Sequence, residues 1–181
     1  MWFIFHLLFG VRWLFVFLQE TFVIEDCYYY NDGSSTTGLE IDSGVSCTSN
    51  GNYITITKST SGEKYVWLPK QLTASDDYEY ELEIAEIGSV QAMAINWNNT
   101  NDWAYYHNAN GNWGVNNTNI FTTAIAVGDK FKIKKQGSTV TFYINEVLKH
   151  TLTKTYGNHK VGFYTNNGRT QKIKNIKLKA L

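Results

Sequence analysis

The sequence predicts an all-β chain, an antiparallel two-sheet sandwich with a short apolar N-terminal segment outside it. Three observations carry this. Apolar and polar residues alternate with a period of two in run after run, the pattern of strands with one buried and one wet face. Turn-forming residues separate the runs about every 8 to 12 positions. The chain has one proline and 15% aromatics, which sets it apart from disordered and collagenous compositions. At 181 residues it is one domain, large enough to bury a core without disulfide or metal staples.

The stretch from Val127 to Thr165 is the most legible. Phe131 and Ile133 alternate with Lys130, Lys132 and Lys134; Val140, Phe142 and Ile144 with Thr139, Thr141 and Tyr143; Val161 and Phe163 with Gly162 and Tyr164. Gln136-Gly137-Ser138 and Asn145-Glu146 break the runs where turns are needed. An antiparallel meander is expected, with Phe142 and Phe163 inward and a second sheet covering the buried face. Gly128-Asp129-Lys130, Phe142-Tyr143-Ile144-Asn145 and Val161-Gly162-Phe163, with a closing strand from Gln171 to Lys179, resemble the C-terminal half of the concanavalin A-like jelly rolls, the superfamily of laminin-G-like domains, lectins and glucanases. In pattern the resemblance runs over residues 20 to 181 and implies a jelly-roll sandwich there.

Residues 1 to 19 form a separate apolar leader or anchor-like segment. The run Met1 to Leu18 is strongly apolar, yet it barely reaches the length that spans a bilayer, and Arg12 sits near its middle. It has neither the basic start nor the small-residue cleavage site of a signal peptide. An export-related leader, a packed apolar helix and translated sequence upstream of the true start compete, and the first fits the extracellular style of the rest.

Thr21 to Asp26 reads as the first strand, and Asn31 to Gly38 as an exposed loop. Cys27 and Cys47, the only cysteines, could form a disulfide or stay as two thiols in strands; no Cys/His spacing suits zinc. Asn52 to Lys58 alternates, with either Tyr53 or Ile54 and Ile56 inward. Tyr65 to Leu68 follows, ended by Pro69. In Tyr78 to Ile87, the residues Tyr78, Tyr80, Leu82 and Ile84 share one face and Glu79, Glu81 and Glu83 the other. The run Glu81-Leu82-Glu83-Ile84-Ala85-Glu86 is similar to the E-x-D-x-x-E signature of jelly-roll β-glucanases, with Glu83 where the family has Asp. That resemblance implies Glu81 as nucleophile and Glu86 as acid/base. Such a retaining pair stands about 5 to 5.5 Å apart. Residues five apart on a regular strand face opposite ways, so a bulge would be required. A Glu-rich wet face also arises in any antiparallel sandwich.

Asn96 to Asn119 holds ten asparagines in 24 residues, together with Trp97, Trp103, Trp113, Tyr105, Tyr106 and His107. Aromatic planes cover the apolar face of a sugar ring, and amides both donate to and accept from hydroxyls. The same mixture serves protein epitopes or merely a core with Asn-rich turns. A five-residue loop, Asn98 to Asp102, would pair Trp97 with Trp103 on the core face beside Met93, Ile95 and Tyr105. Ala92, Ala94, Asn96, Ala104 and Tyr106 would then form an open groove floor beside Glu81 and Glu83. Asn110-Gly111 favours a two-residue hairpin turn, which pairs Asn108 with Trp113 and puts Trp113 on the open face with Tyr106; a three-residue turn would send Trp113 inward. The expected ligand site is therefore Tyr106, Trp113, Asn96, Asn108, Glu81 and Glu83. His107 lacks a triad partner pattern, and the oxygen-rich loops lack EF-hand spacing, so no catalytic triad, metal or other cofactor is expected.

Formal net charge is zero, which argues against nucleic-acid binding driven by counterion release. The charge is uneven: Glu20 to Glu86 carries 13 Asp/Glu and 3 Lys, Gly128 to Leu181 carries 2 Asp/Glu and 12 Lys/Arg. Acidic strands lying beside basic ones as cross-strand pairs account for this, ahead of a basic docking patch. The leading functional reading is a non-enzymatic recognition module for a glycan or cell-surface polysaccharide, adhesin- or phage-tail-like. It would sit outside the cell or on a virion or cell surface, touching membrane only through residues 1 to 18. The alternatives are a glycoside hydrolase using Glu81 and Glu86, and a structural sandwich with no small ligand.

Overall fold

The computed structural model describes residues 27–58, 62, 64–87, 90–97, 100–107, 112–115, 118–122, 124–165, 168 and 170–181. The N-terminal run and the strand expected over Thr21 to Asp26 lie outside them. Among the described residues every regular element is a strand: β1 (Cys27–Asn31), β2 (Glu40–Ile41), β3 (Val45–Ser49), β4 (Ile54–Lys58), β5 (Lys64–Trp67), β6 (Tyr78–Glu86), β7 (Val90–Trp97), β8 (Thr100–His107), β9 (Asn112–Val115), β10 (Thr118–Thr122), β11 (Lys130–Gln136), β12 (Thr139–Ile144), β13 (Val147–Thr153), β14 (His159–Thr165) and β15 (Thr170–Ala180). One sheet runs β13-β12-β11-β6-β15-β4-β3, with β1 also on β15; the other runs β10-β9-β8-β7-β14-β5-β2. All pairings are antiparallel.

The alternation sets the faces. Ile54, Ile56, Tyr78, Tyr80, Leu82, Ile84, Phe131, Ile133, Val140, Phe142 and Ile144 of the first sheet meet Val66, Met93, Ile95, Val161 and Phe163 of the second in one core. Phe142 and Phe163 are buried, as expected. Tyr80 crosses between the sheets: its hydroxyl donates to the Gly162 carbonyl at 2.9 Å, and its ring meets Phe163 edge-on at 6.1 Å. A buried hydroxyl needs such a partner. Asn145 and Glu146 turn β12 into β13 with φ of 51° and 62°, the left-handed pair of a type I′ hairpin. The meander expected over residues 127 to 165 is corrected in one respect. β11, β12 and β13 form it, but β14 crosses to the second sheet and pairs with β7 and β5. Cys27 and Cys47 are free thiols; burial pushes Cys47 up to about 11.

At the end where β6 begins, Lys135 is buried and donates to the carbonyls of Ala74 at 3.0 Å and Asp76 at 2.7 Å. His159 is buried beside it, between Tyr78 at 5.6 Å and Tyr156 at 5.3 Å. These contacts pin the segment that carries the chain from the second sheet into the first.

Candidate binding face

The sandwich has two outward faces, and the structure divides the expected site residues between them. Glu81 and Glu83 lie on β6, in the first sheet, whereas Asn96 and Tyr106 lie on β7 and β8, in the second. These strands belong to different sheets rather than to one groove floor.

On the first sheet β6 lies between β11 and β15, so each glutamate of the outward row meets lysines from both sides. Glu79 is 3.0 Å from Lys179 and 3.8 Å from Lys134; Glu81 is 3.6 Å from Lys132; Glu83 is 3.2 Å from Lys174. Lys132 also reaches Glu146 at 2.5 Å. This is the cross-strand pairing that the uneven charge foretold. The bulge that the glucanase signature requires is present. The register steps from Lys172 opposite Glu86 to Ile173 opposite Ile84, so Ala85 is the extra residue. Glu86 is then bonded by Lys172 at 2.5 Å. That bond and one from Tyr53 hold its carboxyl below the usual range. For Glu83, partial burial acts upward but bonds from Asn175 and Lys174 prevail, leaving it lowered. A general acid needs the opposite shift.

On the second sheet the ladder is offset from the expected one. Trp97 pairs with Thr100, not Trp103, and Ala94 pairs with Trp103. At the next hairpin His107 pairs with Asn112 and Tyr106 with Trp113, so four residues intervene rather than two or three. Asn108, Asn110 and Gly111 are outside the described residues. Trp113, expected on the open face, is a core residue: it is 1% exposed and meets Phe142 edge-on at 6.0 Å and His150 at 6.4 Å. Its ladder partner at position 106 stands in the register of Gln91, in the row of Met93 and Ile95, so Tyr106 loses its expected place beside Ala92 and Ala94 as well.

The outer face of this sheet holds aromatics that the expected site omitted. Tyr65 and Trp67 alternate with the core residues Val66 and Leu68, and Tyr164 with Phe163 and Thr165. Together with Ala94 they form a second apolar cluster, separate from the core. Tyr65 and Trp67 stack at 4.8 Å and 12°, with Tyr164 tilted against Tyr65 at 5.6 Å. Gly162 lies opposite both Trp67 and Ala94. A Cβ there would come within 2.8 Å of the Trp67 ring and 2.1 Å of the Val66 carbonyl, so the indole rests on a position that only glycine leaves free. Beside this apolar row runs a polar one. Lys160 pairs with Asn96 across the ladder, and Asn96 with Asn101; Lys160 also holds Glu40 of β2, donating to both carboxylate oxygens at 2.5 and 2.6 Å. By ladder register Asn96 has the parity of Ala94, and its side chain lies outside the description. The sequence carried a signal for the cluster. A strand reading Tyr-Val-Trp-Leu is apolar on both faces, which is the mark of a strand covered on both sides.

No protein-family model and no curated protein matches the chain. Solved structures do. A Bacillus subtilis protein of unknown function with a galectin-like fold superposes with a TM-score of 0.62 at 12% identity, over 86% of this chain and 97% of that one. The carbohydrate binding module CBM66 from Bacillus subtilis gives 0.56 at 14% identity, over 79% and 96%. A Bacillus licheniformis β-glucanase gives 0.54 at 13% identity, over 84% and 97%. At such identities the likeness concerns architecture, and it agrees with the two-sheet topology of the described strands: the chain has a jelly-roll sandwich fold.

Proposed function

We propose that the chain is a non-enzymatic carbohydrate-binding module working outside the cell or on a surface, with its ligand on the outer face of the second sheet. The observation that carries this is the aromatic cluster of Tyr65, Trp67 and Tyr164 set apart from the core. The rings lie on the face turned away from the partner sheet, where each keeps 7 or 8% of its surface exposed. The stacked Tyr65–Trp67 pair lies beside Lys160, whose ladder partner is Asn96, and a sugar asks for rings toward its apolar face and polar groups toward its hydroxyls. The likeness to a carbohydrate binding module supports the reading at the level of fold. The test is a glycan array on the full chain and on Trp67→Ala, with circular dichroism to confirm folding. Binding by the wild type that the folded variant loses is expected. No binding on any glycan would return the chain to the structural reading.

A second reading, glycoside hydrolysis, has one observation in its favour, the bulge at Ala85. Against it, Glu86 and Glu83 have lowered carboxyl pKa values where an acid/base needs a raised one. Release of reducing sugar from β-glucan by the wild type, lost in Glu81→Gln and Glu86→Gln alike, would establish it.

A further inference from the structure

The Glu40–Lys160 pair occupies a telling place on this face. Trp67 stacks one side of its ring on Tyr65, so a ligand can stack only on the other side. Along β14 the outward residues are Tyr164, Gly162 and Lys160, about 6.6 Å apart per step. The indole rests over Gly162, with Tyr65 opposite Tyr164 on one flank and Lys160 on the other. Lys160 sits on β14 and Glu40 on β2, with β5 between them. Their bond therefore runs across β5 beside Trp67, which stands opposite Glu40 in the ladder. Trp67 is only 8% exposed. The two halves of the pair are unequal. Glu40 lies on a two-residue edge strand with its side chain 49% exposed, whereas Lys160 sits on an inner strand at 25%.

We propose that this pair is a latch opened by an acidic sugar, whose carboxylate replaces Glu40 on Lys160 while its ring takes the side of Trp67 turned away from Tyr65. The proposal rests on the carbohydrate reading above. A uronic acid brings a substitute for the bond it breaks, and the half-exposed Glu40 returns to water. A neutral sugar has to break the charged pair and supplies only hydroxyls. Lys160 is then the fixed cation of the site and Glu40 an internal competitor, so removing them acts in opposite directions. Two residues that merely stabilised the sheet would act in the same direction.

The experiment uses the full chain labelled with 5-fluorotryptophan, the Trp67 resonance being assigned by its loss in Trp67→Phe. Methyl glucuronide and methyl glucoside are titrated into the wild type, Glu40→Gln and Lys160→Met, with thermal melts to confirm that each is folded. Methyl glucuronide is expected to shift the Trp67 resonance and to bind more tightly than methyl glucoside. Glu40→Gln is expected to tighten it about two- to fivefold, by removing an exposed competing pair. Lys160→Met is expected to weaken it about tenfold, by removing a charge-assisted bond. Equal binding of the two sugars, or both variants moving affinity in the same direction, overturns the latch. If neither sugar moves Trp67 while the glycan array still shows binding, the latch fails and the carbohydrate reading stands. If the array is also blank, both fail.

Discussion

Replacing Trp113 with alanine separates the two parts this residue could play. An exposed sugar platform would lose binding and keep its melting temperature. The structure makes Trp113 a core residue on β9, 1% exposed and edge-on to Phe142 of the facing sheet. Burying an aromatic side chain removes about 150 to 250 Å² from water. At about 25 cal/mol per Å² that is roughly 4 to 6 kcal/mol, and measured Trp or Phe to Ala costs in cores run about 3 to 5 kcal/mol. For a domain of this length each kcal/mol moves the midpoint by about 2 to 4 °C, so Trp113→Ala should melt roughly 6 to 20 °C below wild type. Trp113→Phe keeps an edge toward Phe142 and should recover part of the loss. The assay is thermal unfolding followed by circular dichroism, with glycan binding measured well below the variant's midpoint, where it should be unchanged. A Trp113→Ala protein that melts with the wild type but loses its ligand would refute both the four-residue hairpin and the core assignment.

Other outcomes are equally definite. His159 should make stability pH-dependent. Burial holds its pKa below the usual value, helped by Lys135 and opposed by the Gly157 carbonyl and Asp76. The folded state then binds fewer protons than the unfolded one, so this stability is complete above about pH 6.5 and is lost as pH falls toward the folded-state pKa. Urea midpoints between pH 5 and 7, taken beside His159→Phe, should show a slope in the wild type that the variant flattens; equal slopes would remove His159 from the account. Gly162→Ala should cost about 3 kcal/mol or more in urea unfolding, since a Cβ would collide with the Val66 carbonyl at 2.1 Å and backbone cannot step aside as a flexible side chain does; a near-neutral result would mean β5 and β14 are not paired as described. Glu79→Gln, which removes the partner of Lys132, Lys134 and Lys179, should lose at most about 1 kcal/mol, and the loss should shrink in high salt. A larger, salt-independent loss would point to packing rather than charge.

The legible parts of the fold were those where one face is buried and the other is wet. In β6, β11 and β12 the inward positions Tyr78, Tyr80, Leu82, Ile84, Phe131, Ile133, Val140, Phe142 and Ile144 are apolar and buried, and the one exception, Lys135, is buried through its bonds to the Ala74 and Asp76 carbonyls. The Glu/Lys pairing was legible from charge alone, because acidic β6 could be satisfied only by the basic strands that follow. Sheet membership was not legible. Val161 and Phe163 alternate in the same way whichever sheet holds them, and only the pairing with β5 and β7 tells them apart. The outer aromatic cluster was missed through register. Pairing Trp97 with Trp103 instead of Thr100 is a slip of three residues, and an odd slip sends a whole strand to the other side. Matching one tryptophan to another looked like good packing, but the ladder placed Trp103 opposite Ala94. The same preference for short hairpins put Trp113 outside. Asn-Gly is a strong local signal, and it yielded to the tertiary demand for an indole against Phe142.

The two outer faces of one sandwich have become physically different surfaces, and this bears on what each can bind. On the first sheet seven lysines and five glutamates alternate across β6, β11, β15 and the β12–β13 turn (Lys130, Lys132, Lys134, Lys172, Lys174, Lys177 and Lys179 against Glu79, Glu81, Glu83, Glu86 and Glu146). Most of their charges are already engaged with one another, so a ligand there would have to undo several ion pairs for each contact it makes. On the second sheet the proposed site offers Lys160 beside a stacked aromatic pair, and a carboxylate taking that lysine has the Glu40 contact to exchange. An incoming carboxylate meets a single exposed competitor on the second sheet and a cooperative network on the first. Carboxylates drew attention to the first face in the sequence, but their lysine partners leave them less available to a ligand. The proposed site on the second face combines a single engaged lysine–glutamate pair with aromatic rings packed over Gly162.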